Sequence, residues 1–339
     1  MLRLRRATVV VAGPADAPEQ RLSIEIEGGP RRSAVADVGL VGAAQAGDEV
    51  IVNVEAVELR LGSGGFDIVH CNLTRGLGGE GTPGAHVMKL NYTSLQHAVA
   101  PVEEGDPAAL PEAPELPLGR PVAVLALHGQ LAPLAWALGQ AAPGLRLGYV
   151  QTAGGALPGG HSCVVRDLRD GGLLAGHLTA GPAFGGADGD AITTAAALHH
   201  GFTALGWDAA VAGPGPGILG SGSALGHGGL QALDTAHTAL ALGCPALLVA
   251  RMSSTDLRSR HRGLSHHTRT VLDLLLRPVV VAIPRDEEPA DERHDWRALD
   301  VDLDGYGASG LPTRSMGRED PLFFAAALAA GRALSEMTP

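Results

Sequence analysis

Six short apolar runs, at 122–127, 145–150, 177–180, 209–212, 246–250 and 279–283, recur about every thirty residues through the C-terminal part of this chain. Segments of helical composition lie between them, at 131–140, 191–205, 230–242 and 267–276. A strand followed by a helix and a second strand re-enters its sheet in the same direction, by a right-handed crossover. The runs are continuously apolar rather than alternating, which is the pattern of strands covered on both faces. Residues 121–339 are therefore expected to form an α/β domain, a doubly wound, mostly parallel sheet of Rossmann-like build. A final helix at 323–337 is expected to cover the sheet edge. In such sheets ligands bind beyond the carboxyl ends of the strands, so function is sought in the loops that follow the runs.

The first part of the chain reads differently. Segments 8–11, 22–26, 50–54 and 56–61 are β-branched or alternating, with turn residues at 28–30, 47–48 and 62–65 between them. Residues 1–102 are expected to be a small β-barrel or sandwich, and the Pro- and Glu-rich stretch 103–120 has the composition of a linker. The formal charge of −11 is unlike the clustered cations of proteins that bind nucleic acid or anionic membranes; neither partner is expected. The best candidate for a membrane span, 239–250, is short and interrupted by Gly243 and Pro245. Cys71, Cys163 and Cys244 are odd in number and far apart, which suits a reducing cytoplasm. Lys89 is the only lysine, so no P-loop lysine or Schiff-base lysine exists beyond that position. A homodimer is the expected assembly, being the commonest one.

Five of the expected strands run into glycine-rich or polar loops, at 128–130, 151–155, 181–188, 213–223 and 251–254. In 213–223, Gly213, Gly215, Gly217, Gly220 and Gly222 would let backbone N–H groups approach an oxyanion, and the hydroxyls of Ser221 and Ser223 could add donors. The loop is neither a dinucleotide fingerprint nor a P-loop, and no nucleophile elbow surrounds its serines or Ser162.

The densest chemistry follows. Residues 260–268 hold His261, His266 and His267 with Arg260 and Arg262, in a chain that is otherwise acidic. Ser265 reads as the N-cap of a helix running to Arg277, which puts His266 and His267 in its first turn. There the helix dipole disfavours the imidazolium form, leaving the neutral ring that a general base or metal ligand requires. Two functional arrangements are open. Arg260 and Arg262 could clamp an anion while His261, His266 or His267 transfers a proton. Alternatively, His266 or His267 with Asp188 or Asp190 could hold a divalent metal. A solvated basic loop with capping histidines is the purely structural reading.

Three motifs carry a resemblance to a known family. These are residues 215–226 (Gly-Pro-Gly-Ile-Leu-Gly-Ser-Gly-Ser-Ala-Leu-Gly), 183–186 (Ala-Phe-Gly-Gly) and 260–268 (Arg-His-Arg-Gly-Leu-Ser-His-His-Thr). Together with 47–53, they resemble a bacterial family, chiefly actinobacterial and firmicute, catalogued as a domain of unknown function. Members carry a histidine before Ala-Phe-Gly-Gly-Asp, whereas Pro182 and Ala187 occupy those two flanking places here. The resemblance supports the layout and the site residues, and it implies no reaction.

The function expected from the residues is that of a hydrolase or group transferase acting on a small anionic metabolite, phosphorylated or nucleotide-like. The 213–223 backbone and the arginines would hold the anion, and a histidine would serve as acid and base. The alternative is a non-catalytic nucleotide-sensing or protein-assembly module using the same crevice.

Overall fold

The structure, a computed structural model, describes residues 1–61, 64–104 and 114–338. Contacts divide the chain into two units, Met1–Ala100 and Pro101–Pro339. Residues 105–113 of the expected linker, and two residues of the turn expected at 62–65, lie outside the described residues.

In the first unit five strands close a barrel: β1 (Leu4–Ala12), β2 (Glu19–Ile26), β3 (Arg31–Asp37), β4 (Glu49–Asn53) and β5 (Asp67–Asn72), in the order β1-β2-β3-β5-β4. Closure comes from β4 pairing antiparallel with β1, which makes this a barrel and not a sandwich. Alternate residues of β2, Leu22, Ile24 and Ile26, point into the core with Val9, Val50 and Val52. Two single-turn helices, α1 (Val38–Val41) and α2 (Glu55–Glu58), and a short pair, β6 (Val87–Lys89) and β7 (His97–Val99), complete the unit. The strand expected at 56–61 is instead α2 and a turn. The side chain of Asn53 accepts from the backbone N–H of Glu55 at 3.1 Å and ends β4. Arg60 then takes a positive φ of 54°, which no strand accommodates.

The second unit runs β8 (Val122–Val124), α3 (Leu131–Ala141), β9 (Leu147–Thr152), α4 (Cys163–Asp170), β10 (Gly176–Ala180), β11 (Asp190–Ala191), α5 (Thr194–Thr203), β12 (Ala209–Pro214), α6 (Gln231–Ala241) and β13 (Ala246–Val249). It continues through β14 (Met252–Ser253), β15 (Gly263–Leu264), α7 (His266–Leu274), β16 (Val280–Pro284), β17 (Asp295–Leu299), α8 (Leu303–Gly307) and α9 (Pro321–Met337). Eight of these strands form one sheet in the order β11-β10-β9-β12-β8-β13-β16-β17, and every pairing in it is parallel. All six apolar runs are strands of this sheet.

The order explains where the helices lie. From β8 the chain moves outward through β9 and β10 to β11, and then returns as β12 to travel the other way. Right-handed crossovers must then put helices on opposite faces before and after the reversal. Accordingly α3 and α4 pack on one face with Ala123, Leu125, Tyr149 and Val211. Helices α5, α6 and α7 pack on the other with Val122, Val124, Ala210 and Leu248. Helix α9 was expected at the sheet edge, yet it lies on the first face beside α3 and over β13 and β16. Its small residues allow this: a side chain at Gly331 would collide with the Leu134 carbonyl. Among the described residues no helix is long and apolar enough to cross a membrane.

Trp207, 1% exposed, is wedged into a notch where any methyl on Gly148 or Gly201 would overlap its indole ring. Gly148→Ala should therefore overpack the site and cost about 1–3 kcal/mol. Urea denaturation checks this, and an unchanged midpoint would mean that the notch has room.

Candidate functional site

Two glycine-rich loops meet backbone to backbone at the carboxyl edge. A side chain on Gly228 would collide with the Gly154 carbonyl, and one on Gly215 with the Ala156 carbonyl. The backbone N–H of Ala156 donates to the Pro216 carbonyl at 2.6 Å, and that of Leu219 to the Gly154 carbonyl at 3.2 Å. Residues 219–228 then fold as a hairpin, with Gly228 N–H donating to Leu219 at 2.7 Å and Ser221 N–H to Gly226 at 2.6 Å. The hairpin returns His227, which is 7% exposed, against the segment that follows β13.

That segment supplies the remaining rings. Ser265 caps α7 as the sequence predicts, its hydroxyl accepting from His267 N–H at 3.2 Å; the helix ends at Leu274. The same hydroxyl lies 2.7 Å from Nδ1 of His261. The His227 ring stacks on that of His267, with centroids 3.6 Å apart and planes 12° apart. His266 stands 4.3 Å from His267 and 4.7 Å from His261 between ring centroids. One nitrogen from each of His261, His266 and His267 can be chosen so that all three lie within 4.8 Å of one another. Nε2 of His266 and both ring nitrogens of His227 are buried without a hydrogen-bond partner.

A buried cation sits beside the rings. Nη1 of Arg251 lies 2.9 Å from Nδ1 of His267. A guanidinium only donates, so Nδ1 accepts and the neutral ring carries its proton on Nε2. Arg251 shares one buried carboxylate with two neighbours. Asp256 takes a bidentate pair from Arg258 at 3.0 and 2.9 Å and a third bond from Arg318 at 3.0 Å, while Arg251 approaches it to 3.6 Å. The hydrogen bond from Arg258 is the largest influence holding the Asp256 carboxyl far below its ordinary range. Burial pulls Arg251 down to about 10, still charged near neutrality. Burial, reinforced by Arg251 and Arg258, takes His261 down to about 4, and burial, reinforced first by Arg260 and then by Arg251 and Arg258, lowers His266. Burial and the neighbouring His227 ring take His267 down to about 2. Every ring of the cluster is thus pushed toward its neutral form.

The sequence-predicted residues fall into three groups. His261, His266 and His267 come together. Arg260 and Arg262 are exposed, and Arg262 donates to the Asp256 carbonyl at 3.0 Å; Arg251 is the cation in contact with the cluster. Of the glycine loop, Gly213 and Gly215 are buried at packing points, whereas Gly217, Gly220, Ser221, Gly222 and Ser223 are exposed. Ser221 spends its N–H on Gly226, and Ser223 donates its own to the Ser221 hydroxyl at 3.3 Å. The loop therefore works chiefly as the arm that carries His227. Asp188 and Asp190 stand elsewhere, since four strands separate β11 from β13. Asp188 accepts from His177 N–H at 2.7 Å and Asp190 from Gly185 N–H at 2.9 Å. Neither joins the three imidazoles within ion-sharing distance among the described residues.

Sequence reasoning missed His227 and Arg251, although each is legible afterwards. His227 is a lone imidazole inside Gly226–Gly229, and Arg251 is the first residue after an expected strand. It also missed a second buried constellation. His128 Nε2 lies 2.8 Å from the Ser162 hydroxyl and Nδ1 lies 3.3 Å from the Tyr149 hydroxyl. Tyr149 gives its one proton to the carbonyls of Gly213 and Pro214, so Nδ1–H donates to Tyr149 and Ser162 donates to Nε2. Ser162 is 3% exposed and also caps α4, so this chain braces the ends of β8, β9 and β12. A depression of 280 Å³ beside His227 is bounded by Gly154, Leu225, Gln231 and Asp234. A larger one of 610 Å³ lies on the barrel and carries no histidine.

A closed five-stranded barrel joined in sequence to an eight-stranded parallel sheet, with an imidazole cluster at the carboxyl edge, defines an α/β protein of two units. Residues 33–331 match the family model described as protein of unknown function (DUF3866), and the chain belongs to that family. No curated protein and no solved structure matches it.

Burial lowers His128 to about 4 and His177 to about 3, against about 6.5 for an exposed ring. Between those values the unfolded chain binds protons that the native state refuses, so stability falls as pH falls through that window. Each ring should contribute a slope of about 1.4 kcal/mol per pH unit below pH ~6. Urea titrations from pH 7 to 4.5 measure it; a flat profile would mean that these rings are charged in the native state.

Proposed function

We propose that this protein is an enzyme, a hydrolase or group transferase, that takes a small anionic metabolite at the carboxyl edge of the sheet. A phosphorylated or nucleotide-like compound is the substrate class. One observation carries the reading: uncharged imidazoles and the buried guanidinium of Arg251 meet where three guanidiniums converge on the single carboxylate of Asp256. Positive charge left incompletely neutralised in a desolvated place is the electrostatic complement of an oxyanion. An entering anion also raises the proton affinity of the rings it touches. That shift moves a depressed imidazole toward the range in which acid–base catalysis works near neutrality. His266 is the ring suited to exchange a proton, being half-buried with Nε2 unpartnered.

A second reading, a sensing or assembly module, is favoured by Leu219 and Leu225. They are 68% and 65% exposed on the hairpin that carries His227, where apolar surface invites a partner. We assign the protein to the cytoplasm, because its three cysteines are all unpaired and Cys163 is exposed.

Thermal-shift titration with inorganic phosphate, sugar phosphates and nucleotides tests the enzyme reading at its binding step. A ligand at 100 times its Kd should stabilise the native state by about 2.7 kcal/mol and raise the Tm. Arg251→Met should abolish that shift while leaving a folded protein. If no anion raises the Tm of the native chain, the reading fails.

A further inference from the structure

We propose that His261, His266 and His267 are the protein ligands of a divalent transition-metal ion of the zinc class. The nitrogens of these three side chains come within 4.8 Å of one another, so side-chain shifts of about an ångström bring them to the roughly 3.4 Å separation of donors on one tetrahedral ion. A second observation points the same way. Nε2 of His266 is a buried polar atom with no partner, and the His227 ring covers the group by stacking on His267. Buried polar atoms are nearly always satisfied, so an orphan nitrogen within a group of three imidazoles calls for an occupant.

The donor set chooses the ion. Three imidazoles without a carboxylate suit zinc, cobalt, nickel or copper, whereas calcium and magnesium require oxygen ligands. Three protein donors also leave a fourth position free for water or a substrate oxygen, the arrangement of catalytic rather than structural zinc sites. The outer contacts are of the kind that orient a ligating ring. Nδ1 of His261 is held by the Ser265 hydroxyl, which leaves Nε2 as its ligating atom. His267 is held through Nδ1 by Arg251. An ion bound at that atom displaces Arg251, whose Nη2 already lies 3.6 Å from Asp256; an ion bound at Nε2 moves the ring's one proton to Nδ1, where it opposes the guanidinium donor, so Arg251 withdraws in this case too. Either exchange removes one positive charge from contact with the ion.

This inference rests on the proposed function only for what fills the open position, and the ion itself is tested apart from any reaction. The full-length chain, freed of metal with a chelator, is titrated with Zn²⁺ and Co²⁺ by calorimetry, and the cobalt adduct is followed by visible spectroscopy. One ion per chain and the intense d–d bands of four-coordinate cobalt are expected. His266→Ala should weaken binding roughly 100-fold or more, with folding confirmed by circular dichroism. Should that variant not fold, His261→Asn takes its place. His227→Ala should retain the ion, since its ring stacks outside the three-donor group.

Absence of binding by the native chain overturns the proposal. So does an equal loss in His227→Ala and His266→Ala, or an affinity unchanged in His266→Ala. A parallel arm with inorganic phosphate alone separates the two readings. Phosphate binding without metal binding overturns the ion and spares the anion site, whereas ion binding without any response to anions does the reverse.

Discussion

The contact on which the rest of the site depends is made without side chains. The backbones of 154–156 and 215–228 lie so close that a methyl on Gly215 or Gly228 would occupy the opposing carbonyl. This fixes the hairpin after β12 onto the loop after β9, and the hairpin in turn sets His227 against His267 at 3.6 Å. Glycine is common here because the two main chains must touch, a requirement that no longer residue meets. The sheet brings the right loops together for the same reason that it is doubly wound. After the chain reverses, β12 returns between β9 and β8, so the loops of the outward and the returning paths become neighbours.

Electrostatics then decides the state of the cluster. Asp256 and Asp320 are the buried carboxylates that hold the segment between β13 and α7. Asp320, which precedes α9, accepts from Ser254 N–H at 2.9 Å and from the Ser253 hydroxyl, and Asp256 takes Arg258 and Arg318. Helix α9 and the segment carrying the histidines are thus tied by hydrogen bonds as well as by apolar packing, Ala326 sharing a core cluster with Met252 and Val271. Burial chiefly disfavours protonation of the adjacent rings, and the arginines, which outnumber the carboxylate they share, add to it. Neutral rings keep the lone pairs that bind ions and accept protons.

The sheet was legible because the information that specifies a buried parallel strand is local. The runs at 122–127 and 209–212 carry it in four to six consecutive residues. Ser265 was legible for the same reason, since a cap acts within a single turn. By contrast, β11 spans two residues and exists only because β10 offers it an edge, so no sequence period marks it. Strand β17, with Asp295 exposed and Arg297 half-buried, has the polarity of a loop and pairs only along β16. The position of α9 follows from Gly331 meeting the Leu134 backbone, a pairing nearly two hundred residues apart in the chain. His227 stayed hidden because its partners belong to another strand's loop, and the glycines around it read equally well as anion donors. Asp188 and Asp190 looked available as ligands because nothing local shows that backbone N–H groups of their own strand region already occupy them.

Cationic surroundings and a set of metal-binding nitrogens pull in opposite directions, and their balance says what such a site holds. A dication placed near Arg251 meets a repulsion that, for unit charges 4 Å apart at an effective dielectric of 20, is about 4 kcal/mol per charge. An oxyanion placed there alone is drawn by the guanidiniums around Asp256 but finds no charge on the neutral rings themselves. Ion and oxyanion together cancel both deficits: the anion screens the ion from Arg251, and the ion supplies the charge that the neutral rings lack. Were the proposed ion and the proposed anion both to bind here, each would strengthen the other by the same factor, as linkage requires. A site built of uncharged imidazoles among arginines is one that favours a charged pair over either member by itself.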